Sequence, residues 1–102
     1  MAKMVLITST PPGEAPESVR QAWVGLKIPL DEDQSQGTVR GALGGNPEPD
    51  NLDGYCVPAG AAIAALKAAG KVGSVHWWVT KGYGFPGQSL MVGKKFCKLV
   101  EE

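Results

Sequence analysis

The sequence predicts an α+β fold. The expected form is a small twisted antiparallel sheet, or a partial SH3-like or OB-like barrel, with one capping helix over about 58–69. Three observations carry this. Short apolar runs recur between Gly- and Pro-rich breaks, the pattern of strands and turns. A single stretch, from Pro58 to Gly70, has a proline at its start and a glycine past its end, the asymmetry of a helix. Fourteen glycines among 102 residues suit the bulges and corners of a tightly curled sheet. A chain of this length is read as one globular domain, 1–102.

Lys3 to Thr8 (KMVLIT) reads as a first strand, ended by Thr10-Pro11-Pro12-Gly13. A short helical turn is expected from Glu14 to Trp23, with Pro16 near its first position and Glu17 favourable at the N-terminal dipole. Trp23 to Leu30 should form a second strand. Pro29 lacks an N–H, so this strand should be an edge or end there. Polar, acidic residues mark a loop at 31–36, and Gly37 to Leu43 reads as a short strand. Residues 44–53 (GGNPEPDNLD) have the composition of an exposed loop.

Gly54 to Val57 is expected as a brief strand feeding the helix. Within the helix Ile63 and Leu66 share a face, and the alanines make it slim and intrinsically helical. Ser74 to Thr80 (SVHWWVT) reads as the strongest strand, because β-branched and aromatic residues dominate it. Alternation then sets Val75, Trp77 and Val79 on one face and His76, Trp78 and Thr80 on the other. Gly82 to Gly87 is a turn, and Leu90–Val92 and Phe96–Val100 are the last strands, hinged near Gly93-Lys94.

Composition excludes several classes. The longest near-apolar run, Val57 to Leu66, is half the roughly 20 residues of a membrane span. The N-terminal MAKMVLITST has four consecutive apolar residues, against the roughly 7–15 of a secretory core. A cytoplasmic location, with no membrane partner, is therefore expected. Cys56 and Cys97 are 41 positions apart with no CxxC, so two buried, reduced thiols are expected. One histidine cannot complete a usual zinc site with them, and no metal or other cofactor is expected.

No complete catalytic set is visible. Gly82-Tyr83-Gly84-Phe85-Pro86-Gly87 matches GxGxxG, but an extended segment follows where a dinucleotide site needs a helix. His76 could serve as a base for Cys56 or Cys97 in a small thiol enzyme, although no spacing places them together. Asp31-Glu32-Asp33 and Glu48, Asp50 and Asp53 read as solvated loop acids, without the spacing of a calcium loop.

The charge distribution is uneven. Residues 1–53 hold four basic and eight acidic residues, whereas 54–100 hold six lysines and no acid. Lysines interleaved with aromatics resemble the recipe for single-stranded nucleic acid. Against it stand a net charge of zero and the absence of arginine from the basic half. Four of the seven aromatics lie between Trp77 and Phe85. If Trp77 points inward, Trp78 points outward, and tryptophan and tyrosine are enriched at binding hot spots. The sequence therefore predicts a non-enzymatic module binding a protein, a peptide or a second copy of itself as a homodimer. Its expected binding residues are Trp78, Tyr83, Phe85 and Lys81.

Overall fold

A computed structural model describes residues 3–11, 13, 15–31, 38–44, 54–85 and 87–101. The loops expected at 31–36 and 44–53 lie outside these residues, apart from Asp31 and Gly44, as does Pro86 of the glycine-rich turn. The fold is α+β. Among the described residues six strands form two three-stranded sheets, and three helices pack against them.

The first sheet has the order β2-β1-β6, all antiparallel. Strand β1 (Lys3–Ile7) alternates as expected, with Val5 and Ile7 fully buried. It pairs Val5 with Ile28 of β2 (Lys27–Pro29) and with Leu99 of β6 (Cys97–Glu101). Pro29 lies on an edge strand, where its missing donor costs no ladder bond. The second strand is shorter than the sequence suggests. After helix α1 (Glu17–Gln21), Trp23 lies in a turn, held by its N–H donating to Arg20 O at 3.2 Å. This turn puts the Trp23 ring in the core at 2% exposure.

The second sheet has the order β3-β5-β4. Strand β4 (Gly54–Pro58) runs antiparallel to β5 (Gln88–Gly93), but β3 (Thr38–Ala42) runs parallel to β5. A parallel pair needs a long crossover, usually helical. Here strand β4 runs the chain back, and two helices, α2 (Ala59–Ala68) and α3 (Val72–Thr80), link the antiparallel pair β4 and β5.

The sheets join at two seams. Asp31 N–H donates to Cys56 O at 2.8 Å, and Thr8 N–H donates to Phe96 O at 2.9 Å, where a 3-10 turn (Lys94–Phe96) leads from β5 into β6. The strands curl around a shared core of Val5, Ile7, Ile28, Val57, Leu90 and Val92, with Ala59, Ala62 and Leu66 of α2 packed into it. Among the described residues no helix is long and apolar enough to cross a membrane.

Helix α2 has the expected limits to within a residue. Pro58 is its N-cap rather than its first helical residue. At its end Gly70 has φ +76°, Gly70 N–H donates to Lys67 O, and Lys71 N–H donates to Leu66 O, both at 3.0 Å. These two bonds are a Schellman motif, which satisfies carbonyls that the helix leaves open.

The strand expected at Ser74–Thr80 is a helix, and this is the main correction to the sequence reading. Ser74, Val75 and Trp78 are its buried residues, the spacing of a helical face. Strand propensity measures fit to a pleated, half-buried surface. Here the segment packs on α1 and α2, and burial of Trp78 overrides the local preference. Trp77 and Trp78 are accordingly not on opposite faces of a sheet. They are neighbours on one helix, the first half-buried and the second buried.

Candidate functional site

The end of α3 repeats the end of α2. Gly82 has φ +94°, its N–H donates to Val79 O, and Tyr83 N–H donates to Trp78 O, both at 3.0 Å. This second Schellman motif fixes Tyr83 against the helix it follows. Its ring meets Trp78 edge-on, with centroids 4.7 Å apart. Trp78 makes similar contacts with Trp77 at 5.0 Å and Trp23 at 5.7 Å. Edge-to-face contacts at these distances are favourable beyond the area they bury.

Strand β3 holds the other side of this ring cluster. The Arg40 guanidinium lies 4.0 Å over the Tyr83 ring, and its Nη1 donates to Lys81 O at 2.9 Å. Tyr83 Oη donates to Gly41 O at 3.3 Å. A Cβ added at Gly82 would lie 2.9 Å from Arg40 Nη1, so the turn approaches the arginine closely.

Between these parts lies a cleft of about 250 Å³. Trp77, Trp78 and Tyr83 form one wall, Gly41 to Gly44 another, and Pro11, Ala15 and Arg20 the third. Arg20 is held by donating from Nε to Ala15 O and from Nη1 to Pro11 O, both at 2.9 Å. Trp78 is 5% exposed, and its Nε1–H is buried with no acceptor. An unmet buried donor costs about 1–3 kcal/mol. Trp23 Nε1 is also unmet, but Trp23 does not line the cleft.

The expected binding residues are only partly brought together. Trp78 is not a protruding ring, because three aromatic neighbours enclose it. Tyr83 is half-buried beside it, and Lys81 is exposed with its Nζ 5.5 Å over the Trp77 ring. Phe85 is 56% exposed, and among the described residues it stacks on no other ring. Sequence reasoning missed Arg20, Arg40 and Gly41–Gly44. No local signal marks them, since each joins the cleft only through tertiary packing.

The remaining chemistry points away from catalysis by thiol. Cys56 and Cys97 are free and buried. Burial pushes the Cys97 thiol up to about 11. Burial, and then the nearby Asp31 carboxylate, push Cys56 up as well. A nucleophilic cysteine needs the opposite direction. The Asp31 carboxylate accepts a hydrogen bond from Ser89 Oγ, and His76 is exposed on α3. In the glycine-rich turn, Gly84 N–H donates to Gln88 Oε1 at 2.8 Å, so that amide is already engaged. Among the described residues no group of three His, Cys, Asp or Glu could hold a metal ion. Comparison of the chain with family models, with curated proteins and with solved structures finds no match.

Proposed function

We propose that the chain is a non-enzymatic module that binds a peptide segment of a partner protein in the cleft between β3 and α3. The carrying observation is that the concavity and the aromatic cluster coincide, with Trp77, Trp78 and Tyr83 lining one wall. Aromatic walls with a few polar groups are the usual make-up of a recognition pocket. The proposed residues shift accordingly. Tyr83 remains central, Trp77 joins it as the accessible ring, and Trp78 supplies the floor. Lys81 flanks the site, and Phe85 is a rim residue.

Strand β3 supports the same reading. It is an edge strand, and among the described residues nothing pairs with its outer side. An extended peptide beside such an edge can use main-chain hydrogen bonds for affinity and a side-chain pocket for specificity. The nucleic-acid reading has less support. Its stacking platform would need Trp78, which is buried, and Lys94, far along the chain, lies 5.5 Å over Tyr55 instead of beside the Trp77–Tyr83 rings.

Selection of displayed random peptides on the folded chain tests this. Enriched peptides should share an apolar anchor residue and lose binding to Tyr83→Ala and Trp77→Ala, while Phe85→Ala has a small effect. Enriched peptides that bind all three variants as well as the parent would overturn the assignment of the cleft.

A further inference from the structure

The next step rests on the peptide-binding reading and names the part of the peptide that enters. We infer that the cleft receives the C-terminal end of a partner chain. Its last, apolar side chain packs on Trp77 and Tyr83, and its free carboxylate meets the Arg20 guanidinium.

Charge is the first reason. Arg20 donates to two neutral carbonyl oxygens, and among the described residues no carboxylate pairs with it. The two bonds orient the guanidinium, and neither partner carries a charge. A guanidinium has five N–H donors, and carboxylate is the anion whose geometry it matches.

Size is the second. At about 250 Å³ the cleft falls below the usual range of small-molecule pockets and suits one residue rather than a folded motif. A chain end carries its carboxylate and its side chain on the same carbon, so both enter one small concavity. An internal Asp or Glu would bring main chain in on both sides of it. The open edge of β3 then gives the preceding residues a strand to pair with.

The test uses the full chain, nitrogen-15 labelled, and acetylated hexapeptides of Gly and Ser ending in Leu, Val or Phe. Each is made as the free acid and as the C-terminal amide, and N-acetyl-leucine is a further probe. The best acid should bind at least about tenfold more tightly than its amide, the effect of one charge-assisted contact. It should shift the signals of Trp77 and Tyr83 and leave the indole N–H of Trp23 nearly in place. Arg20→Gln should reduce the acid's affinity to that of the amide. Equal binding of acids and amides at the cleft would overturn the chain-end inference and leave the peptide reading standing. N-acetyl-leucine binding as tightly as the hexapeptides would also overturn it, in favour of a small free carboxylate. If no probe moves the signals of Trp77, Trp78 or Tyr83, both the inference and the reading beneath it fail.

Discussion

Helices α2 and α3 are neighbours of nearly equal length, ten and nine residues, and both end in the same glycine motif. They are helical for different reasons. Helix α2 is rich in alanine, so its backbone is intrinsically inclined to the conformation it takes. Helix α3 is VGSVHWWVT, a run with poor helix formers and an exposed Val72 and Val79. Its conformation comes from burying Ser74, Val75 and Trp78 against the rest of the molecule. The cleft lies on the second kind of helix, so the site depends on tertiary packing and α2 depends on it less.

Trp78→Ala should break this comparison most strongly. Removing the central ring of the cluster is expected to cost about 3–5 kcal/mol, a large share of the roughly 5–15 kcal/mol of a typical domain. Hydrogen exchange should then show protection lost selectively over 72–80. Leu66→Ala, in the core face of α2, should cost about 2–5 kcal/mol by denaturant unfolding yet leave α2 as protected as the sheets. Selective loss of α2 protection would reverse the assignment.

The two terminal glycines give the next contrast. A side chain in the left-handed region costs about 1–2 kcal/mol, so Gly70→Ala and Gly82→Ala should both destabilise. At Gly70 an added Cβ meets nothing within 4 Å, whereas at Gly82 it meets Arg40 Nη1 at 2.9 Å. Gly82→Ala should therefore cost more, and it alone should loosen Tyr83 and weaken cleft binding. Equal losses in stability and binding would show that Arg40 and Tyr83 are not positioned by that turn.

The sheet corner away from the helices provides a reference. The Cys97 thiol is raised from 9.0 to about 11 by burial, so the folded state holds its proton more tightly than the unfolded chain. That contribution is complete below the unfolded value and is lost as pH rises through the folded one. Stability measured relative to Cys97→Ala should fall between pH 9.0 and about 11. A difference that stays flat over that range would contradict the burial. The smallest effect is intrinsic propensity. Val79→Ala in α3 should stabilise, and Ala64→Val in α2 destabilise, each by about 0.3–0.5 kcal/mol in denaturant titrations.

Much of the fold was legible because local signals agreed with it. Pro58, the alanines and Gly70 marked α2, the alternation in Lys3–Ile7 marked β1, and Pro29 marked an edge. What could not be read was the crossover. The sequence contains no sign that β3 and β5 lie parallel, or that the link between the antiparallel strands β4 and β5 holds two helices rather than one. Reading 74–80 as a strand followed from its β-branched and aromatic residues, and the error carried Trp78 to the wrong side. Tyr83 was visible because aromatics cluster near it. Arg20 and Gly41–Gly44 were not, because they reach the cleft from distant segments and carry no motif.

A chemical-shift map of the chain titrated with an enriched peptide tests the account most directly. Changes should concentrate at Gly41–Gly44, Arg20, Trp77, Tyr83 and the Trp78 indole, with Cys56, Cys97 and the Lys94–Phe96 turn undisturbed. Changes centred on that lysine-bearing turn, with the three rings unmoved, would contradict it.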